Sequence, residues 1–191
     1  MAPYFWEMPM SLTVEFKEKA QRIKLVVFDV DGVLTDGSLH YSAQGEETKV
    51  FNVKDGVGIK LLQTYGIATA IISAKESAAL AKRAKDLKIT HFFPAAKDKW
   101  AVLSILLTQL QVQADEVCFV GDDVIDLRVM KQIGLSIAPA DAFWMVKKYA
   151  QMITQAAGGK GVAREVADLI LGSRMDLEDA YIKAMLPEFE K

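Results

Sequence analysis

Residues 24–37 read Lys-Leu-Val-Val-Phe-Asp-Val-Asp-Gly-Val-Leu-Thr-Asp-Gly, an apolar run that ends in carboxylates and glycines. Continuous rather than alternating hydrophobicity is typical of a strand covered on both faces, as in a parallel sheet. Because side chains alternate across a strand, we expect Asp29 and Asp31 on one side and Val30 on the other. The stretch therefore predicts a buried strand that presents two carboxylates to one ligand.

Apolar runs of the same kind recur along the chain, at residues 67–73, 116–121 and 135–138. Amphipathic helical patterns lie between and after them, near residues 56–65, 76–87, 98–111, 124–133, 142–149 and 161–171. Strands that alternate with helices predict an α/β fold, a doubly wound parallel sheet.

One interruption of this alternation is the segment 39–51, which reads as two short strands around Gln44-Gly45 and predicts a small β-hairpin insertion. The stretches between the polar strand ends are otherwise filled by core elements, so no cap domain fits. With 191 residues, we expect one domain over 1–191, with a core at about 22–172, a hairpin at about 38–52 and two short tails.

The two tails leave alternatives open. Residues 1–10 are rich in aromatics and methionine and are either a loose tail or a segment that packs on a neighbouring subunit. Near the other end, Leu177, Tyr181 and Met185 have four-residue spacing, which predicts a helix with an apolar stripe. That stripe packs either on its own domain or between subunits.

Composition narrows the function classes. The formal net charge is -2, with 23 basic and 25 acidic residues scattered along the chain, which argues against a nucleic-acid or acidic-membrane partner. Cys118, the single cysteine, lies in an apolar run and predicts a buried thiol in a reducing compartment. The start of the chain lacks the pattern of a signal peptide, and no segment approaches the ~20 apolar residues of a membrane span. We therefore expect a cytoplasmic protein.

Polar residues collect where the predicted strands end, which is where open parallel sheets bind ligands. Asp29 is placed to attack phosphorus as a nucleophile, and Asp31 to protonate the leaving alcohol and later activate water. Asp122 together with Asp29 can hold a hard cation, for which Mg²⁺ is the natural choice. Asp126, one helical turn later, supports that shell.

Two further groups complete the set that phosphoryl transfer requires. Ser73 ends its own strand and can donate its hydroxyl to phosphoryl oxygens at a helix start, and Lys99 can neutralise the remaining charge. Each residue alone is equally explained as a turn residue, a helix cap or a solvated lysine. Their joint order at the strand ends of one sheet favours a magnesium-dependent phosphomonoesterase.

The order Asp29-Val-Asp31-Gly-Val-Leu-Thr-Asp-Gly37, Ser73, Lys99 and Gly121-Asp122-Asp123 resembles the four motifs of the haloacid dehalogenase superfamily. Residues 51–59 and 157–166 extend the likeness to its capless, subfamily III A type phosphatases. Within these, the chain is similar to the 3-deoxy-D-manno-octulosonate 8-phosphate phosphatases, which act in making the inner sugar of lipopolysaccharide. The resemblance implies a Rossmann-like fold and hydrolysis of this sugar acid phosphate through an aspartyl-phosphate on Asp29.

The same resemblance assigns roles to further residues. Magnesium would be bound by the side chains of Asp29 and Asp122 and by the backbone carbonyl of Asp31, with Asp123 and Asp126 in support. The substrate residues that it implies are Asp31, Asn52, Val53, Lys54, Asp55, Gly56, Lys60, Lys75, Arg83 and Lys99. Lys60 and Arg83 are alternatively part of a solvated helix face. It also implies a homotetramer, in which hairpins form a central barrel and C-terminal tails reach a neighbour's site.

Two departures from the family pattern bear on the substrate. Ala74-Lys75 replaces the usual Gly-Arg, and Lys54 replaces an arginine. Lysine keeps the charge but lacks the bidentate fork that arginine offers to a carboxylate. A phosphatase of a nine-carbon, sialic-type sugar acid 9-phosphate is therefore the runner-up.

Two non-enzymes are the alternatives from other classes. A phosphorelay receiver domain carries its phospho-acceptor on a later strand than its acidic pair, whereas here the pair ends the first strand. A non-catalytic scaffold would need no intact site, yet every residue that the reaction needs is present.

Overall fold

Eight strands form two sheets in the computed structural model, which describes residues 13–43 and 45–186. The strands are, in chain order, β1 (Leu25–Phe28), β2 (His40–Ser42), β3 (Gly45–Thr48), β4 (Ala68–Ile72), β5 (His91–Phe93), β6 (Val117–Val120), β7 (Leu135–Ala138) and β8 (Met152–Ile153). Six of them make a parallel sheet in the order β5-β4-β1-β6-β7-β8. The predicted doubly wound sheet is confirmed.

The helices cover both faces of this sheet. They are α1 (Val14–Arg22), α2 (Val53–Thr64), α3 (Ala78–Asp86), α4 (Lys99–Leu110), α5 (Leu127–Met130), α6 (Trp144–Tyr149), α7 (Val162–Gly172) and α8 (Leu177–Met185), with 3₁₀ turns at Ala114–Glu116 and Val124–Asp126. All six helices expected between and after the strands are present. The predicted helix near 124–133 is shorter than expected, because its first turn is 3₁₀ and its α-helical part ends at Met130.

The core consists of two layers that meet at β1. Val26 and Phe28 belong to the layer that also contains residues of α1, α2 and α7, whereas Leu25 and Val27 belong to the layer under α4 to α6. All four side chains are fully buried, as the apolar run predicted. Cys118 on β6 is also fully buried, so its expected place in the interior is confirmed.

The position of β1 determines where the site can lie. From β1 the chain crosses to β4 and β5 on one side and later returns to β6 on the other. The strand order therefore reverses at β1, and the crevice at the carboxyl ends of β1, β4 and β6 is where such sheets bind ligands. Phe28 is in register with Ile71 and Val120, so the residues that follow these three strands meet at one edge.

The insertion between β1 and α2 is a short antiparallel hairpin, as expected. β2 and β3 pair with Ser42 opposite Gly45, while Gln44 lies outside the described residues. The part of the chain that the structure describes contains no cap domain, and none of its helices is long and apolar enough to cross a membrane.

The C-terminal stripe packs on its own domain, as the first of the two alternatives predicted, while a role between subunits stays a prediction. Leu177, Tyr181 and Met185 lie on α8 and contact the first core layer, and the Tyr65 hydroxyl donates to the carbonyl of Ala180 at 3.0 Å. The segment 1–10 lies outside the described residues. The division into one domain with a core, a hairpin and tails stays a prediction.

Candidate active site

A buried ion-pair triad lies at the carboxyl end of β1. The Lys99 Nζ, at the first residue of α4, is 2.8 Å from the Asp29 Oδ1 and 2.6 Å from the Asp126 Oδ1. All three residues are buried. Because an ammonium is rarely buried unless it is paired, the triad fixes the position of all three side chains.

Asp122 joins this group from the loop after β6. Among the described residues, Asp29, Asp122 and Asp126 each offer a carboxylate oxygen within 4.8 Å of the others. The backbone N–H of Asp122 donates to the Asp126 Oδ2 at 3.1 Å, whereas the Asp122 Oδ1 is buried without a hydrogen-bond partner. Asp126 is thus engaged by protein donors, whereas the Asp122 Oδ1 accepts from no donor of the described residues.

The electrostatics of this cluster favour the binding of positive charge. Burial, together with the charge of Asp126, raises the pKa of Asp29 to about 6 against the opposing effect of Lys99. Burial and the neighbouring carboxylates raise the pKa of Asp122 to about 7. Burial by itself lowers the pKa of Lys99, but the charges of Asp29 and Asp126 outweigh it, so that this pKa is raised. The site therefore carries more negative charge than Lys99 alone can offset.

The close approach of two loops requires Gly32. Its φ of +90° is in the left-handed region, and a Cβ there would lie 2.1 Å from the Asp122 Oδ2. The loop after β1 therefore packs directly on the loop after β6, and this contact places Asp122 beside Asp29.

Asp31, the predicted acid/base, has a partner that the sequence did not reveal. The Lys49 Nζ, just beyond the hairpin, lies 2.5 Å from the Asp31 Oδ1. The Asp31 side chain is one-quarter exposed, so it faces the open crevice rather than the core. Nothing in the local sequence distinguishes Lys49 from a solvated hairpin lysine.

Ser73 lies where its strand predicts, but not at a helix start. It is buried directly after β4, and its backbone N–H donates to the carbonyl of Phe93. The helix begins only at Ala78, because Ser77 caps it by accepting from the N–H of Leu80. The expectation that Ser73 lies at a helix start is therefore wrong. Its hydroxyl instead accepts from the N–H of Lys75 in the connecting loop.

The predicted substrate loop, residues 52–56, is the first turn of α2 and its cap. Asn52 caps the helix by accepting from the N–H of Lys54, and its side-chain amide donates to the carbonyl of Gly159. Val53 and Lys54 are exposed, whereas Asp55 and Gly56 are buried. The loop thus presents its exposed residues to solvent and uses the others for packing.

Asp55 points into the protein rather than into the crevice. Its Oδ1 accepts from the N–H of Ala163 at 2.7 Å, and its Oδ2 is buried without a hydrogen-bond partner. Arg83 of α3 likewise acts on this loop, since its guanidinium donates to the carbonyl of Asn52 at 3.3 Å. A Cβ on Gly56 would lie 2.8 Å from that guanidinium, so a larger residue there would displace the Arg83 side chain.

The structure does not bring Lys60 to the carboxylate cluster. Lys60 is exposed one turn beyond Gly56, in a groove of about 360 Å³ whose lining excludes Asp29, Asp122 and Lys99. Lys75 is exposed in the loop after β4, at the edge of the sheet where the site lies. Asp123 is exposed and caps the 3₁₀ turn, its Oδ1 accepting from the N–H of Val124.

Comparison with known proteins identifies the family. Residues 84–166 match the model of haloacid dehalogenase-like hydrolases. The chain is 45% identical over 163 residues to the 3-deoxy-D-manno-octulosonate 8-phosphate phosphatase KdsC of Yersinia pestis, covering 85% of this chain and 87% of that protein. The enzyme of the same name from Escherichia coli K12 is 42% identical over 162 residues, 85% of this chain and 86% of the relative.

The chain belongs to the 3-deoxy-D-manno-octulosonate 8-phosphate phosphatase family. A crystal structure of a member from Moraxella catarrhalis, which contains a magnesium ion, a phosphate ion and a KDO molecule, is 35% identical with a TM-score of 0.83. That match covers 92% of this chain and 98% of the other. As a member of this family, the protein is a phosphoric monoester hydrolase.

The donor set fits the magnesium ion that this phosphatase family uses. Mg²⁺ prefers carboxylate and carbonyl oxygens, and the unpartnered, buried Asp122 Oδ1 beside Asp29 supplies such a ligand. Asp126 already accepts from Lys99 and from the N–H of Asp122, so it suits the orienting role that the sequence suggested.

The glycine-rich loop of this phosphatase, residues 157–161, and the two residues before it are held by two carboxylates that the sequence analysis did not identify. Asp141 accepts from the N–H of Gly158 at 2.8 Å, and Glu165 accepts from the N–H groups of Gln155 and Ala156. The N–H of Gly159 in turn donates to the carbonyl of Val33 in the loop after β1. The sequence does offer one signal for Glu165: it lies in the first turn of the predicted helix 161–171, and carboxylates are favoured near helix N-termini.

Proposed function

We propose that the protein hydrolyses 3-deoxy-D-manno-octulosonate 8-phosphate to the free sugar acid and phosphate, in the biosynthesis of the inner sugar of lipopolysaccharide. The observation that carries this proposal is the position of the buried Asp29, 2.8 Å from the Lys99 Nζ and beside Asp122. The similarity of the chain to 3-deoxy-D-manno-octulosonate 8-phosphate phosphatases supports the choice of substrate. A carboxylate fixed in this way, among groups that can balance a phosphate dianion, is suited to nucleophilic attack on phosphorus.

The reaction has two steps. In the first, an oxygen of Asp29 bonds to phosphorus while the bond from phosphorus to the sugar oxygen breaks, and Asp31 gives that oxygen a proton. In the second, Asp31 takes a proton from water as the water oxygen attacks phosphorus, and the bond to Asp29 breaks. Asp29 is regenerated, and phosphate leaves.

The surrounding groups balance charge during both steps. Asp29, Asp122 and the backbone carbonyl of Asp31 would hold Mg²⁺, which supplies positive charge next to the phosphoryl oxygens. Lys99 adds a fixed ammonium that reaches Asp29. The hydroxyl of Ser73, which is buried directly after β4, would donate to the phosphoryl group. These donors do not need to reorganise, because burial holds them in position.

The sugar acid also carries a carboxylate, for which we propose the cations at the rim of the crevice. Lys54 and Lys75 are exposed, so their ammonium groups can bind the carboxylate of the sugar acid. Arg83 stabilises the substrate loop through the carbonyl of Asn52 and can offer its remaining N–H groups to the substrate. Asn52, Val53, Asp55 and Gly56 form the loop that carries Lys54, and Lys60 lies one turn further along α2. Lysines in place of arginines keep the runner-up, a nine-carbon sugar acid 9-phosphate, as the second candidate.

The test is phosphate release, with magnesium, from a panel of sugar phosphates. The panel holds 3-deoxy-D-manno-octulosonate 8-phosphate, sialic-type 9-phosphates and simple hexose phosphates. We expect a strong preference for the eight-carbon acid and loss of all turnover in Asp29→Ala. Preference for a nine-carbon acid would keep the mechanism and overturn the substrate, whereas absence of turnover with every phosphate would favour a receiver or a scaffold.

We also propose a cytoplasmic homotetramer formed by a single hydrolase domain. Tyr41 and Leu39 at the hairpin and Val50 beyond it are exposed apolar residues, as expected for a segment that packs against other subunits. A capless crevice gains from a neighbour that excludes water, because electrostatic contacts weaken in bulk solvent. Sedimentation tests the assembly, and a fully active monomer would contradict it.

A further inference from the structure

Lys49 is a lysine with a buried side chain, and it lies outside the motifs on which the family resemblance rests. It follows β3 and precedes the substrate loop, and its side chain is only 2% exposed. A buried ammonium costs several kcal/mol of desolvation, of order 20 kcal/mol in the idealised limit, unless a carboxylate compensates it. One partner is Asp31, at 2.5 Å, so the residue that follows the hairpin is tied directly to the proposed acid/base.

We propose that Lys49 is a positioning residue for Asp31, which holds one oxygen of this carboxyl group so that the other meets the leaving oxygen of the substrate. This inference rests on the proposed role of Asp31 in the phosphatase reaction. The Asp31 side chain is partly exposed and would otherwise be free to rotate, because it stands in an open crevice. A contact to one oxygen restricts the rotamer of Asp31 and the directions in which its other oxygen can point.

A misplaced general acid slows the hydrolysis of substrates with poor leaving groups more than that of substrates with good ones, and this difference provides the test. An alkyl alkoxide is a poor leaving group that needs the proton from Asp31, whereas 4-nitrophenolate leaves without one. General acid catalysis contributes roughly 10²- to 10⁴-fold, so a misplaced Asp31 should slow the alkyl phosphate specifically. The parameter to compare is kcat/KM, because it covers only the steps up to cleavage of the bond from phosphorus to the leaving oxygen.

The experiment compares Lys49→Met with the wild type on 4-nitrophenyl phosphate and on the best alkyl phosphate of the sugar phosphate panel. We expect kcat/KM for the alkyl phosphate to fall at least about tenfold, and that for the aryl phosphate less than about threefold. Lys49→Arg, which retains the charge, should recover part of the alkyl-phosphate loss. Lys17→Met replaces an exposed lysine of α1 and is the matched control, expected to change neither value.

A second measurement separates positioning from a structural tether. In an Asp31→Asn background, Lys49→Met should not change the aryl-to-alkyl ratio further, since coupled residues are not additive. Melting curves of each variant show whether it is folded at the assay temperature. Lys49→Gln is a second uncharged variant, to be used if Lys49→Met does not fold. Equal losses with both substrates, or a further change of the ratio in the Asp31→Asn background, would overturn the inference. A wild type that hydrolyses neither substrate would instead overturn the proposed function.

Discussion

The Asp55 Oδ1 accepts a 2.7 Å hydrogen bond from the backbone N–H of Ala163, so a side chain in the first turn of α2 caps the first turn of α7. Burial raises the pKa of Asp55, and the N–H groups of Ala163, Arg164 and Gly161 oppose that rise. The contact joins the substrate loop to the start of α7, directly after the glycine-rich loop, and that loop donates from Gly159 to Val33 in the loop that carries Asp31.

From this contact we expect Asp55→Ala to lower the free energy of unfolding by about 1–3 kcal/mol, because the N–H of Ala163 becomes buried and unsatisfied. KM should rise more than kcat falls, since the substrate loop loses its anchor. Chemical denaturation and steady-state kinetics measure both quantities. Asp179→Ala, an exposed residue in the first turn of α8, is the control, and a large loss of kcat with unchanged stability would place Asp55 in contact with the reacting atoms.

Asp126 is expected to control metal affinity without binding the ion itself. Asp126→Asn removes the charge that pairs with Lys99 at 2.6 Å but keeps an acceptor for the N–H of Asp122. Loss of such an orienting partner typically weakens metal binding about 10- to 100-fold. Titration calorimetry with Mg²⁺ measures this without turnover. Asp98→Asn, one residue before Lys99, is the control, and unchanged Mg²⁺ affinity in Asp126→Asn would refute the orienting role.

Gly32 and Gly66 form a matched pair of left-handed glycines. Alanine at either position costs about 1–2 kcal/mol of backbone strain, because φ is +90° and +73°. Only at Gly32 does the added Cβ meet Asp122; nothing lies within 4 Å of a Cβ at Gly66. We therefore expect Gly32→Ala to lose Mg²⁺ affinity and turnover, while Gly66→Ala loses stability alone. Calorimetry and kinetics on both variants test this, and equal Mg²⁺ affinities would contradict it.

The carboxylate cluster predicts an unusual pH dependence of stability in the metal-free protein. Folding raises the pKa of Asp29 from 3.8 to about 6 and that of Asp122 from 3.8 to about 7. The folded chain thus binds protons more tightly, and the stability gained is complete below the unfolded pKa and is lost as the pH rises through about 6 and 7.

Magnesium should reverse this dependence, because it binds the deprotonated carboxylates. We expect the rise in Tm caused by Mg²⁺ to be larger at pH 8 than at pH 5.5, and to be reduced at pH 8 in Asp122→Asn. Melting curves in chelator and in excess Mg²⁺ provide the comparison. A rise in Tm independent of pH would argue against these raised pKa values.

The main features of the fold and of the reaction centre could be predicted because their signals are local. Four buried strands are continuous apolar runs, and Asp29, Asp122 and Lys99 lie at strand ends or helix starts. β5 and β8 were not predicted because they have only three and two residues and pair in parallel, so they lack the hairpin turn that revealed the equally short β2. α1 was not predicted either, since only Phe16 and Ala20 of its nine residues are buried.

Contacts between distant segments had no such signal. The pairing of Lys49 with Asp31 depends on where the hairpin returns to the end of β1, which no spacing within the hairpin encodes. The inward direction of Asp55 similarly depends on where α7 begins relative to α2. Family resemblance assigned Asp55 to the substrate loop, but only the packing of the two helices reveals that its carboxylate caps α7.

The central place of β1 in the sheet also has a consequence for the order of assembly. Asp29 follows β1, whereas Asp122 and Asp126 follow β6, which pairs with β1 only after β4, β5 and their helices have been passed along the chain. Contacts between residues so far apart in sequence are slow to form, because the loop between them must close first. Magnesium binding should therefore return late during refolding, and it reports that both halves of the sheet have joined.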